Sequence, residues 1–320
     1  EMPRGHIDPG DRDLRRQIRQ RIGTLRLNRV ARKTQERYVW ALRYFAVWCA
    51  MCKRNTISTD AELDEAVCLY VECLWGEGES RGRVGDLLSG LQWALQRRRI
   101  LNGGWERFRT WGMLELPIRA PPMPVTVACA LSGTALQQQQ LGLAAVLLAA
   151  FDGMMRTTEF LTLTASQVCF GEANALILLP LTKSGQRHGG AESVFARDPQ
   201  AVLLLLVACQ RCGSSTSPLI NMKPSAFRAW LKRATQFLGV GHLQLQPYAY
   251  RRGGATWRFQ QGAPLAELLA QGRWENSRTA RIYITEAALF LGNLTIAAET
   301  AQVTQQYVHF LAEFVRRSGG

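Results

Sequence analysis

Two apolar runs, LGLAAVLLAAF at 141–151 and AVLLLLVAC at 201–209, constrain this chain most tightly. Both are too continuous for a surface helix, which is apolar along one stripe only. Both are also shorter than the roughly 20 residues that cross a bilayer, so they read as helices buried on all sides and no membrane partner is expected. Buried helices need a cover, and 320 residues of which 47% are hydrophobic can supply one. That length and composition exclude a disordered chain, a fibre and a small disulfide-stapled scaffold, and they suit two domains with separate cores. The opening EMPRGHIDPG has no signal-peptide pattern.

Along the chain, residues 1–30 are polar and arginine-rich and read as a basic, flexible or DNA-tracking arm. From Thr34, a candidate N-cap, the apolar residues Tyr38, Ala41, Leu42, Phe45 and Trp48 recur at three- and four-residue spacing. Segments 60–75, 80–101 and 103–113 share that character, which predicts an all-helical module over 31–115. The stretch 116–126 contains Pro121-Pro122, which no helix interior tolerates, and reads as the linker to a second domain over 127–320. There, 134–151 and 156–164 read as helices. Residues 175–196 read as short strands around a glycine-rich turn, and helices return after 199. The fold class expected is mainly α, with a mixed α/β second domain holding a small β-hairpin or sheet.

The net charge is +14, and lysine occurs only at positions 33, 53, 183, 223 and 232, so arginine makes up nearly all of the 39 basic residues. Arginine is the better fork for phosphate. Basic runs such as RQIRQRIGTLRLNRVARK at 16–33 and Arg97-Arg98-Arg99 form an electrostatic footprint for nucleic acid. The eight cysteines include the pairs Cys49/Cys52 and Cys209/Cys212, far apart and each within an apolar helical pattern. They read as reduced thiols packed as small hydrophobes rather than as zinc ligands.

No HExxH, GxxxxGK[ST] or GxSxG is present, and no carboxylate cluster is spaced to hold magnesium, so neither a metal nor a cofactor is expected. Breaking a phosphodiester would then rest on arginines that neutralise the transition state, with a side chain or water as nucleophile. Arg156 and Glu159 are one helical turn apart, which puts them on one helix face.

Three segments resemble the tyrosine recombinases, the family of phage integrases and Cre-type enzymes. FDGMMRTTEFLTLTASQVCF at 151–170 resembles the box that carries the family's first catalytic arginine and an acidic residue three positions on, which map to Arg156 and Glu159. LTKSGQRHG at 181–189 resembles the β-hairpin whose lysine is a general acid to the departing 5′ oxygen, which maps to Lys183. QPYAYRRGGATWRFQQGAPLAELLAQGRWENSRTARIYI at 246–284 resembles the long box ending in the nucleophile. Arg251 takes the second arginine's place, Trp274 the His/Trp place and Tyr283 the nucleophile's place. That segment predicts a helix over 255–260, a break at Gly262, a helix over 264–271 and an Arg-Trp turn into a tyrosine-bearing helix. Tyr250 is nearer the arginine than Tyr283 but at the wrong offset.

The sequence departs from the pattern at Tyr248, where the family usually has His. A phenol still donates a hydrogen bond to a phosphate oxygen but is a poor proton acceptor at neutral pH. The Arg251-Arg252-Gly253-Gly254 run is similar to eukaryotic mobile-element recombinases of the Crypton and DIRS type. The resemblance implies a helical core-binding domain followed by a DNA breaking-rejoining catalytic domain, clamped around double-stranded DNA. It also implies a 3′-phosphotyrosyl intermediate formed without metal or ATP, and a homo-tetramer acting on two sites. Trp274 would pack against the site and hydrogen-bond through its indole N–H. The apolar C-terminal tail would dock on a neighbouring protomer or on its own domain. Localisation is expected to be intracellular with access to DNA, nuclear in a eukaryote and cytoplasmic in a bacterium. The alternatives are a DNA-binding protein that has lost cleavage, or a type IB topoisomerase-like enzyme.

Overall fold

The computed structural model describes residues 12–22, 24–25, 27–54, 57–97, 99–115, 120–179, 191–284, 296 and 298–319. The chain divides into two compact units, Glu1–Ile118 and Arg119–Gly320.

The first unit contains α1 (Arg12–Ile22), α2 (Arg32–Met51), α3 (Asp60–Gly76), α4 (Arg81–Leu95) and α5 (Asn102–Leu114). Its core gathers Phe45 and Cys49 of α2, Val67, Tyr70 and Val71 of α3, Leu87 and Leu88 of α4, and Trp111 of α5. The helix starts show how local chemistry sets the boundaries. At α3, Thr59 Oγ1 accepts from the Glu62 N–H at 3.2 Å while Glu62 Oε2 accepts from the Thr59 N–H at 3.0 Å, a reciprocal cap. At α5, the Asp64 carboxylate of α3 accepts from the Gly103 and Gly104 N–H groups at 2.8 and 3.0 Å. A Cβ on Gly104 would stand 2.8 Å from Leu88 and Val67, so glycine lets α5 approach that closely.

The basic arm contains α1, whose Asp13 near the start and Arg19 and Arg21 near the end suit the helix dipole. Two helix boundaries differ from the sequence reading. Helix α2 begins at Arg32 with Ala31 as N-cap and no side-chain cap, so Thr34 lies inside it. Helix α4 stops at Leu95, where Gln96 turns left-handed at φ 57°, short of the helical stretch read to 101.

The second unit opens with α6 (Val125–Gln137), α7 (Leu141–Asp152) and α8 (Thr157–Leu161). The three-stranded antiparallel sheet β1 (Val168–Phe170), β2 (Ala175–Leu179) and β3 (Glu192–Ala196) follows, with Val168 opposite Ile177 and Ile177 opposite Val194. Then come α9 (Pro199–Gln210), α10 (Pro224–Phe237), α11 (Ala249–Gln260), α12 (Leu265–Gly272), α13 (Ser277–Tyr283) and α14 (Ala298–Ser318). Every residue of α7 from Leu143 to Asp152 is buried, which is why its apolar run is unbroken. α9 starts on Asp198, whose carboxylate accepts from the Ala201 N–H at 2.9 Å, with Pro199 in the first turn.

Differences from the sequence reading have local causes. Helix α6 starts at Val125, inside the stretch read as linker, because Pro124 is extended and serves as N-cap. The single helix read over 134–151 is two, split where Gln139 adopts φ 58°. Strand β1 was not anticipated. In this single chain α14 packs on its own unit. Leu311 is fully buried, and Gly133 of α6 lies so close that a Cβ there would stand 2.1 Å from the Tyr307 carbonyl. Among the described residues, no helix is long and apolar enough to cross a membrane. All eight cysteines are free, with Cys52 and Cys169 exposed rather than packed.

Candidate active site

Helix α11 begins at Ala249, six residues before the start read from the sequence, and runs straight through Gly253-Gly254. Close backbone approach explains the pair. A Cβ on Gly253 would lie 2.2 Å from the Met123 carbonyl, and one on Gly254 would lie 1.9 Å from the Phe151 carbonyl. Pressed so tightly onto α7, α11 drives Arg251 into the interior at 1% exposure. Its Nη1 donates to the Met154 carbonyl at 2.7 Å and its Nη2 to the Gly272 carbonyl. Burial lowers its pKa, and the nearby Arg156 charge adds to the effect.

After α11, Gly262 turns left-handed at φ 81°. α12 runs to Gly272, and Arg273 at φ 52° and ψ 50° swings the chain toward α13. Trp274, Met154, Ala255, Leu268 and Ala280 form a small separate core, with Tyr283 packed against it. The Trp274 and Tyr283 rings stack with centroids 4.6 Å apart. The Arg251 guanidinium carbon lies 5.0 Å from the Trp274 ring centre and 5.5 Å from that of Tyr283. A Cβ on Gly272 would stand 2.3 Å from the Trp274 ring, so the indole lies against the backbone of the turn. Its N–H has no hydrogen-bond partner among the described residues. The Tyr283 carbonyl accepts from Thr256 Oγ1 at 3.2 Å, which ties the end of α13 back to α11.

Tyr248, the N-cap residue of α11, shares a hydrogen bond between its hydroxyl and that of Tyr283. Burial, then its bond to Tyr283, raise its pKa against the opposing charges of Arg251 and Arg156, to about 12. It is therefore a neutral phenol at physiological pH. Tyr250 points away: it is fully buried, lies 6.1 Å from Phe160 and has no partner for its hydroxyl among the described residues.

Arg156 and Glu159 meet, but not as neighbours on a helix face. Arg156 is the extended N-cap of α8, at φ −77° and ψ 153°, and Glu159 occupies the third helical position. Glu159 Oε2 accepts from the Arg156 N–H at 2.7 Å and Oε1 from the Arg156 Nη1 at 2.8 Å. Two residues that were not singled out complete this corner. Arg273 donates from Nη2 to Glu159 Oε2 at 2.8 Å, and Glu192, at the start of β3, lies 3.7 Å from Arg156 Nη1 and 3.6 Å from Arg273 Nε. Burial, with the charges of Arg251 and Arg156 adding to it and that of Glu159 opposing it, lowers the Arg273 pKa to about 10. A non-glycine residue at positive φ costs roughly 1–2 kcal/mol, so the side-chain contacts of Arg273 offset a real strain.

The structure thus brings together Arg156, Glu159, Arg251, Trp274, Tyr283 and Tyr248. Lys183 lies outside the described residues. Among the described residues, no group of three or more His, Cys, Asp or Glu is placed to hold a metal ion. The arrangement can hold an anion against guanidinium groups and present phenol oxygens beside it.

No protein-family model matches the chain, and no curated protein matches it in sequence. Solved structures match it in fold. The Tn1549 transposon integrase in complex with transposon right end DNA aligns with a TM-score of 0.58 at 13% identity, over 88% of this chain and 97% of that chain. The same integrase in complex with circular intermediate DNA aligns with a TM-score of 0.57 at 13% identity, over 88% and 98%. The XerH site-specific recombinase bound to difH substrate aligns with a TM-score of 0.50 at 12% identity, over 78% and 74%. The chain has the fold of the tyrosine recombinases.

Proposed function

We propose that the protein is a site-specific DNA recombinase that cuts and rejoins strands through Tyr283. The observation that carries this reading is the convergence on one phenol: Tyr283 stacks on Trp274, lies beside the buried Arg251 and shares a hydrogen bond with Tyr248. In the proposed reaction the Tyr283 hydroxyl releases its proton to water as its oxygen attacks the scissile phosphorus. The bond to the 5′ oxygen breaks, and the 3′ end remains as a phosphotyrosyl ester. The ester conserves the energy of the phosphodiester, so a second 5′ hydroxyl rejoins the strand without ATP or metal. Arg156 and Arg251 neutralise charge on the non-bridging oxygens, and Tyr248 donates a hydrogen bond to one of them. Lys183 takes the general-acid role that the motif resemblance gives it and protonates the leaving oxygen. The substrate is double-stranded DNA, reached wherever the cell keeps it, and a homo-tetramer joins two sites.

The test is covalent trapping in EDTA. A duplex nicked near the cut site releases a short 5′ fragment after cleavage and prevents rejoining, so the protein–DNA ester accumulates. Wild type should give an adduct that resists denaturation, and Tyr283→Phe should bind DNA and give none. DNA binding without any adduct in wild type would make the chain a DNA-binding protein that no longer cuts. Relaxation of supercoils by a lone protomer on a single site would make it a topoisomerase-like enzyme.

A further inference from the structure

Strand β3 closes one side of the sheet, so among the described strands one of its edges has no neighbour. At that edge both backbone groups of Phe195 are taken by a side chain. The Phe195 N–H donates to Gln271 Oε1 at 3.2 Å, and Gln271 Nε2 donates to the Phe195 carbonyl. A primary amide offers a donor and an acceptor side by side, so Gln271 pairs with β3 much as a strand residue would. Gln271 is 5% exposed and lies at the end of α12. One turn earlier, on the same face of α12, Glu267 accepts from Arg197 Nη1 just beyond β3. Strand β3 is itself held in place: β2 pairs with it, and Asp152 at the end of α7 accepts from the Arg197 and Asp198 N–H groups. Gln271 therefore fastens the end of a short helix to a fixed rail. The next residue along is Gly272, whose carbonyl accepts from Arg251 Nη2. The Arg251 guanidinium is thus aimed by two backbone carbonyls, those of Met154 and Gly272, and the second is one peptide from the Gln271 anchor.

Resting on the assignment of Arg251 to the phosphate, we propose that Gln271 is a positioning residue for Arg251. By pairing with Phe195 it fixes the Gly272 carbonyl, and that carbonyl sets the orientation of the Arg251 guanidinium. Gln271 touches none of the reacting atoms. A misplacement of about 1 Å at a reacting centre costs up to about a hundredfold in rate, so the effect of Gln271 falls on the cleavage step rather than on DNA affinity.

Single-turnover cleavage of the nicked duplex at saturating protein, DNA affinity and thermal midpoint are measured for wild type, Gln271→Met, Gln271→Glu, Arg251→Ala and the double variant Gln271→Met/Arg251→Ala. Gln271→Met, which keeps the shape and removes both bonds, should cleave at least about tenfold more slowly with affinity within about twofold of wild type. Gln271→Glu keeps an acceptor for the Phe195 N–H and should fall between the two. In the Arg251→Ala background, Gln271→Met should cost less than about twofold further, because the group it acts through is gone. If Gln271→Met does not fold, Gln271→Glu with and without Arg251→Ala carries the same comparison. A role in holding the fold alone would cost the same in both backgrounds and would overturn the proposal. So would cleavage by Gln271→Met at the wild-type rate, or a loss that follows affinity or the thermal midpoint. An absent adduct in wild type would overturn the Tyr283 reading, and this proposal with it.

Discussion

Tyr248 and Tyr283 present two phenol oxygens to each other beside a buried arginine, so small changes there separate roles cleanly. Arg251→Ala should slow cleavage by about two to three orders of magnitude while DNA binding persists, measured by single-turnover kinetics. A near-normal rate would place the charge clamp elsewhere. Tyr248→His should hold or raise the rate if the position serves a phosphate oxygen, and complete loss would show that the phenol has its own task. Tyr248 also predicts a pH effect. Its folded pKa of about 12 lies above the ordinary phenol value, so the stability it contributes is fully present below about pH 10 and is lost as pH rises through 12. Wild type and Tyr248→Phe should therefore converge in stability over that window, as followed by alkaline denaturation, and a constant gap would contradict the assignment. Arg251, Trp274 and Tyr283 were legible because their order along one chain segment carries the pattern. The closeness of Arg156 and Glu159 was legible by offset but for another reason, since an N-cap geometry and not a helix face joins them. Arg273 and Glu192 were missed because their meaning lies in contacts between α12, α8 and β3, which no local spacing encodes.

At the scale of elements, apolar periodicity located most helices, while their ends followed chemistry that periodicity does not contain. The sequence reading starts this helix at 255, yet Gly253-Gly254 sits within α11 because the Phe151 and Met123 carbonyls leave no room for a side chain. Gly254→Ala should therefore destabilise the second unit by about 3 kcal/mol, seen as a fall in thermal midpoint with lost cleavage, whereas an unchanged midpoint would contradict the packing. Helix α2 offers the opposite case. Its N-cap is Ala31, extended and without a side-chain acceptor, so Ala31→Ser should stabilise the first unit by about 1 kcal/mol in denaturant titration. Strand β1 escaped the sequence reading because three residues at a sheet edge carry too little alternation to mark a strand.

Across the whole molecule, the excess of arginine and the net charge of +14 set the terms on which DNA would be held. If these groups meet phosphates, affinity should fall on the order of a thousandfold or more between about 50 and 200 mM salt, and a shallow dependence would mean that they do not. The mainly helical fold could be read from apolar periodicity and the two apolar runs, because burial acts locally. The proposed activity turns on one bond, between Tyr283 and a 3′ phosphate, and the measurement that tests it most directly is mass-spectrometric mapping of the trapped adduct. The wild-type protein, incubated with a nicked duplex from the DNA flanking its own gene in EDTA, should yield a peptide carrying nucleotide on Tyr283. Nucleotide on Tyr248, or binding with no adduct at all, would contradict it.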